Sequence, residues 1–246
     1  MNELIQKGHL HPITLVSNKV AKFFVDHGFE IATGPEIETE YYNFDALNIP
    51  KDHPARDVQD TFHLKNSDKI LRTQTSAIQV RYMETHKPPF AVIVPGERVY
   101  RAEASDATHD SQFYQTEGLM VGKDITLAQL KYSMDKFLKY MFGEDVNLRW
   151  RPGYFPFVEP ALEVDISCFK CDVGKAGCSV CKGTGWIEVM PSGMVHPNVL
   201  RAGKIDPDKW QGFAFAIGID RVAMLKYKVD DIRLLYSGDL RLTNQF

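Results

Sequence analysis

Apolar residues recur at three- and four-residue spacing over Ile13, Val16, Val20, Phe23 and Phe24, directly after His11-Pro12. This predicts a helix opened by a proline in its first turn and stopped at Gly28. A stronger version of the pattern, Leu127, Leu130, Met134, Phe137, Leu138 and Met141, predicts a helix over 126–142 with Gly143 just beyond it. Ser76 is a candidate cap for a helix running to about residue 85, before Pro88-Pro89 breaks the chain. Apolar or alternating runs predict strands at 29–33, 69–73, 91–95, 98–103, 112–122, 147–151, 162–167, 185–190 and 212–218, the last followed by a helix over 219–227. Residues 41–47 read as an aromatic-rich turn or short helix, and 51–60 as a polar loop. The strands at 98–103 and 112–122, joined by a polar connection, predict an antiparallel hairpin. Helices and strands are segregated rather than alternating, which favours an α+β fold around a mostly antiparallel sheet.

Composition narrows the class without changing this picture. The 246 residues are 44% apolar and 25% charged, with 29 Lys and Arg against 32 Asp and Glu. That is globular composition, and it excludes disorder. No apolar run approaches the roughly 20 residues of a membrane helix, and residues 1–7 show no export signal, so a soluble cytoplasmic protein is expected. A net charge of -3 gives no bulk attraction for nucleic acid, which must then be held by a local patch or a partner. Neither G-x-G-x-x-G after a strand nor G-x-x-x-x-G-K-[ST] occurs, so dinucleotide and P-loop folds are unsupported.

Candidate chemistry begins on the predicted hairpin. Alternation puts Arg101 and Glu103 on one strand face and Phe113, Gln115 and Glu117 on one face of the partner. Such a face suits a phosphate or carboxylate gripped by arginine and a base stacked on a ring. It equally suits a solvated cross-strand ion pair. In Tyr154-Phe155-Pro156-Phe157-Val158-Glu159-Pro160 the prolines argue against a central strand, and two rings on one edge could wall an aromatic pocket or simply enter the core. Arg221 follows Gly218 at a helix start, where anions are favoured, although a lone helix arginine also serves a surface ion pair.

All four cysteines, Cys168, Cys171, Cys178 and Cys181, lie within fourteen residues as two C-x-x-C knuckles flanking a turn with Gly174 and Gly177. Four thiolates on a hairpin fit a closed, structural zinc site. A redox pair and a site that has lost its metal are the alternatives.

Read together, these residues resemble the catalytic alpha subunit of phenylalanyl-tRNA synthetase, a class II aminoacyl-tRNA synthetase. The matching segments are Gly8-His9-Leu10-His11-Pro12, Tyr42-Asn43-Phe44-Asp45-Ala46-Leu47-Asn48, His53-Pro54-Ala55-Arg56-Asp57, Leu71-Arg72-Thr73 with Thr75-Ser76, 113–119, 154–160, Gly193-Met194-Val195-His196-Pro197-Asn198 and 212–225. They run in order over nearly the whole chain. The resemblance implies a six- or seven-stranded antiparallel sheet flanked by helices, as one catalytic domain over 1–246 with a four-cysteine hairpin inserted at about 166–186. It implies ATP and Mg2+ as cofactors and Zn2+ as a structural ion. Its substrates are L-phenylalanine and tRNA(Phe), charged at the terminal ribose 2′-OH, and its partner is a beta subunit in an α2β2 assembly.

Residue by residue, the resemblance implies that Arg101 holds the ATP α-phosphate and the substrate carboxylate, with Glu103 near adenine and His109 near the outer phosphates. Phe113 matches the ring under adenine, and Arg221 the arginine that closes over ATP. Arg101, Glu103 and Arg221 form the catalytic set. Gln74, Ser76, Gln115 and Glu117 correspond to groups around the amino acid's polar end, and Phe155, Phe157, Val158 and Ala214 to the walls around its ring. Gln74 stands where the family commonly has histidine, Ala216 where glycine is usual and Asp220 where glutamate is frequent. The family's N-terminal helical arm has no counterpart in these residues, so tight tRNA binding is not expected from them. A synthetase-like binding or regulatory module is the rival reading, and retention of Arg101, Glu103, Gln115, Glu117 and Arg221 argues against it. A biotin or lipoyl ligase lacks support because no Gly-Arg-Gly-type phosphate loop occurs.

Overall fold

The computed structural model describes residues 8–57, 60–171, 176–178 and 180–246. The sequence readings of residues 1–7 and of Gly174 lie outside them. Helix α1, Pro12–Asp26, starts with Pro12 after the His11 cap and buries Ile13, Val16, Val20, Phe23 and Phe24 on one side. The chain continues through β1 (Glu30–Ile31), β2 (Ile37–Thr39), α2 (Glu40–Asn43), β3 (Lys69–Leu71) and α3 (Ser76–Thr85). The long strands β4 (Phe90–Tyr100) and β5 (Gln112–Gly122) precede α4 (Leu127–Phe142), which Thr126 and Gln129 close in a reciprocal capping box. Then come β6 (Leu148–Phe155), β7 (Val158–Ser167), β8 (Trp186–Val195), α5 (Pro197–Ala202), β9 (Gln211–Gly218), α6 (Ile219–Tyr227) and α7 (Leu240–Thr243). Among the described residues no helix is long and apolar enough to cross a membrane.

Seven strands form one sheet in the order β1-β4-β5-β9-β8-β7-β6, and β2 pairs with β3 apart from it. Every pairing in the large sheet is antiparallel except that of β1 with β4. Alternation divides its side chains between two cores. Phe213, Phe215 and Ile217 of β9 join the cluster under α1, α4 and α6, where the Phe215 ring lies 5.0 Å from that of Phe24. Leu119 and Val121 of β5 turn the other way, against Val80 and Met83 of α3 and Val199 and Leu200 of α5. Each buried aliphatic or aromatic side chain contributes about 1.5–3 kcal/mol relative to exposure. A Cβ on Gly118 would stand 2.2 Å from Phe215 Cζ on the facing strand, so only glycine lets that ring cross β5.

Several sequence expectations are corrected. The strands at 91–95 and 98–103 are one strand, β4, whose pairing slips between Val94 and Glu97 around Pro95-Gly96; Thr116 Oγ1 accepts the Gly96 N–H freed there at 2.8 Å. β4 ends at Tyr100, so Arg101 and Glu103 lie beyond it. Ser76 does not cap α3, because Thr75 occupies that position and the Ser76 hydroxyl is given to a buried carboxylate. Residues 154–160 are the end of β6, a tight turn at Pro156-Phe157 and the start of β7, and Pro160 sits inside a strand flanked on both sides, at a pairing irregularity between Val158 and Ala161. The strands placed at 147–151, 162–167 and 185–190 are longer, the strand at 29–33 is shorter, and α5, α7 and β2 were not anticipated.

Candidate active site

On the face opposite α1, α4 and α6, the sheet centre carries small or polar side chains. Glu117 on β5 lies opposite Ala216 on β9, and Leu119 opposite Ala214, which in turn faces Gly193 on β8. Over this floor stands a cavity of about 200 Å³. An apolar cavity of about 150 Å³ holds a benzene ring, so the space suits a single aromatic side chain. One wall is Phe155 and Phe157 from the β6–β7 turn, their rings nearly parallel with centroids 5.8 Å apart, beside Val158. Gly193 sets that wall, because a Cβ there would meet Pro160 O at 2.6 Å and Val158 Cβ at 2.8 Å.

The opposite end of the cavity is polar. Glu117, 3% exposed, accepts hydrogen bonds from Ser76 Oγ and Gln79 Nε2, both at 2.7 Å. Burial pushes its carboxyl up to about 7, against the opposing pull of the Ser76 hydrogen bond. Beside it, Gln115 Oε1 is buried with no hydrogen-bond partner. An ionised buried carboxylate next to an idle carbonyl acceptor is a complementary environment for an ammonium group. Gln74 reaches the same cavity and donates to Asn43 O at 3.1 Å, while Asn43 also grips Thr73 through two hydrogen bonds.

Arg101 lines the cavity mouth, its guanidinium 5.0 Å from the centre of the Phe113 ring. All eight residues assigned to the amino acid therefore border one space, together with Arg101. The other four, Glu103, His109, Phe113 and Arg221, do not line it, Phe113 reaching it only through its contact with Arg101. Glu103 and His109 lie on the exposed loop after β4, where Asp106 folds a turn by accepting from the backbone N–H groups of Thr108 and His109 at 2.6 and 2.8 Å. Those bonds hold the Asp106 carboxyl well below its usual range. Arg221, in the first turn of α6, is exposed and donates to Glu188 O at 3.0 Å. Sequence reasoning missed Gln79, although its place three residues after Ser76 on a helix puts both on one face. It also missed Val195 and Val199 of the apolar lining. Two larger clefts, of about 630 and 410 Å³, open beside α1 and beside the cysteine hairpin, and neither is lined by a buried charged side chain.

The four cysteines converge between β7 and β8. Their sulfurs all lie within 4.8 Å of one another, with Cys168 to Cys178 at 3.9 Å and Cys171 to Cys181 at 3.5 Å. A disulfide needs about 2.05 Å. Four sulfurs at about 2.3 Å from one tetrahedral ion stand roughly 3.8 Å apart, so the cluster fits zinc. Backbone N–H groups of Cys181 and Val180 pull the Cys178 thiol down to about 6, toward the thiolate that a metal requires.

Comparison with known proteins agrees with this geometry. The family model of the tRNA synthetases class II core domain matches residues 1–246. The phenylalanine–tRNA ligase alpha subunit of Caldanaerobacter subterraneus subsp. tengcongensis is 56% identical over 239 residues, covering 97% of this chain and 69% of that one. The alpha subunits of Listeria monocytogenes serotype 4b and Bacillus subtilis are 57% and 52% identical, each over 97% of this chain and 68% and 69% of theirs. The chain thus belongs to the class II tRNA synthetases and, among them, to the phenylalanine–tRNA ligase alpha-subunit family.

Proposed function

We propose that this chain is a catalytic subunit that joins L-phenylalanine to ATP as an adenylate and then passes it to the terminal ribose 2′-OH of tRNA(Phe). The observation that carries this reading is the pairing of buried Glu117 and partnerless Gln115 Oε1 with an aromatic-walled cavity: a charged amine at one end, a benzene ring at the other. Glu117, Gln115 and Ser76 bind the ammonium, and Phe155, Phe157, Val158 and Ala214 surround the ring. Arg101, at the mouth, meets the carboxylate and the α-phosphate it attacks, offsetting the repulsion between two anions while the geometry aligns them. Phe113 supports adenine, with Glu103 beside it, and His109 and Arg221 reach the outer phosphates. No protein nucleophile is needed. Bound magnesium supplies further charge neutralisation on the triphosphate. Magnesium at such a site would need only one or two protein carboxylates beside the phosphates of ATP. The chain works in the cytoplasm as one domain over 1–246, with a beta subunit in an α2β2 assembly. Phenylalanine-dependent exchange of pyrophosphate into ATP, measured with and without that subunit, tests the reading. Absence of exchange in the assembled protein overturns it.

Ala214 lines the cavity opposite Leu119 and Gly193. Ala214→Gly is expected to raise kcat/KM for para-chlorophenylalanine by roughly 10-fold or more, the scale of one methyl in an apolar pocket. Tyrosine is expected to stay disfavoured wherever its hydroxyl meets the apolar lining of Val158, Val195 and Val199 without a hydrogen-bond partner. Unchanged discrimination against the para-halogenated analogue would place Ala214 outside the ring pocket.

The cysteine hairpin, residues 166–186, is an insertion that binds one structural zinc ion. Elemental analysis of protein purified without chelator is expected to give one zinc per chain. Cys178→Ser should loosen the hairpin while leaving adenylate formation largely intact. Four freely titratable thiols and no zinc would remove the metal.

A further inference from the structure

The β5–β9 ladder runs from Gly122 opposite Gln211 to Gln115 opposite Gly218, where β9 turns into α6. Tyr114, the next residue of β5, lies beyond this ladder. Its N–H donates instead to Asp220 Oδ2 at 2.6 Å. Asp220, the second residue of α6, is only 2% exposed, and its other oxygen accepts the Tyr236 hydroxyl. The carboxylate thus extends the ladder by one bond after the strand has ended. Tyr236 closes a 3-10 turn, Ile232–Tyr236, whose Ile232 N–H donates to Ala107 O at 2.9 Å in the loop that carries His109. Three segments, bearing Phe113, His109 and Arg221, are joined through one buried acid and its tyrosine.

We propose that Asp220 is a positioning residue for ATP: its carboxylate fixes the spacing between Arg221, its neighbour on α6, and Phe113, the residue before Tyr114. The proposal rests on the reading of Phe113 and Arg221 as ATP-binding groups. It carries an asymmetry. Gln115 is held on the β9 side by its pairing with Gly218 and on the other by Glu97, whereas Phe113, outside the β9 ladder, is tied on that side through the Tyr114 hydrogen bond. Loss of the carboxylate therefore acts on the nucleotide more than on the amino acid. Burial pushes the Asp220 carboxyl up, and the donors from Tyr236 and Tyr114 counter this by favouring its ionised form.

The test measures pyrophosphate exchange, with ATP and phenylalanine varied separately, and amide hydrogen exchange at Tyr114, on the full chain as purified. Asp220→Asn is expected to speed exchange at Tyr114 and to raise KM for ATP about 10-fold while that for phenylalanine rises less than about 3-fold, the scale of one hydrogen bond to a charged group. Asp220→Glu restores the carboxylate and brings KM for ATP back to within about 3-fold of the parent, while Tyr236→Phe, which keeps the Tyr114 bond, falls between parent and Asp220→Asn. Faster exchange at Tyr114 with unaltered ATP kinetics overturns the proposal. So does an equal rise in both KM values, which marks Asp220 as support for the fold alone. Arg221→Ala separates the two levels: normal ATP use by that variant overturns the ATP reading beneath the proposal, whereas its loss with a silent Asp220→Asn overturns only the proposal.

Discussion

Arg101→Ala is expected to slow adenylate formation by roughly 10² to 10³, the range observed when one charge-stabilising donor is removed from a preorganised site. Arg101 is exposed, so the fold loses little with it. Its position at the mouth of the cavity leaves it as the one cation among the lining residues. The amino-acid carboxylate and the phosphate repel each other most as they meet, so the loss falls mainly on kcat, with a smaller change in KM for phenylalanine. Melting temperature and KM for phenylalanine, measured alongside, separate this from general damage. Near-normal exchange by a folded variant would remove Arg101 from the chemistry.

Glu117→Gln should raise KM for phenylalanine by about 10², since a hydrogen bond between two charged partners in a buried site is exchanged for one to a neutral amide. The amide oxygen can still accept from Ser76 and Gln79, whose bonds both go to Oε2, so shape is preserved. The pH dependence follows from the same group. Its carboxyl is raised from 4.5 to about 7 in the folded chain. Between those values the unfolded chain has released the proton and the native one retains it, so native stability falls as pH rises through this window, by about 3 kcal/mol in all. Ammonium binding needs the ionised form, so kcat/KM for phenylalanine should climb with pH and inflect near 7. The inflection should vanish in Glu117→Gln. A KM within about twofold of the parent, or an inflection that persists, would free Glu117 from this role.

The legible parts of the fold are those in which local pattern and tertiary burial agree. Helices α1 and α4 carry one continuous apolar face each, and both are found within a residue of their expected limits. Strand β5, with its partner across a polar loop, is found at 112–122 as read. The under-read strands are those containing Pro95, Pro152, Pro160 and Pro191. Proline signals an end when taken locally, yet three of these four lie at or beside pairing irregularities or the outer strand, where a missing N–H is tolerated. The parallel pairing of β1 with β4 joins residues about sixty positions apart and leaves no local trace. Of the site, Gln115 and Glu117 were visible as same-face neighbours by period two. Their union with Ser76 depends on α3 crossing over the sheet, which only the family resemblance could supply.

The cavity floor is also a long-range pairing: Leu119 of β5 meets Ala214 of β9, 95 positions later, at the centre of the sheet. Closing so long a loop costs entropy before any contact repays it, so this seam belongs to the slow, non-local part of folding. During synthesis the strands β4 and β5 can zip as a hairpin long before β9 leaves the ribosome, but they then present Glu117 on an unfinished edge, without Ala214 or Ala216 beside it. The cavity consequently has no partial, earlier form. A chain either completes the central seam and closes the cavity, or lacks it, so on the proposed reading amino-acid binding reports finished folding rather than any single element.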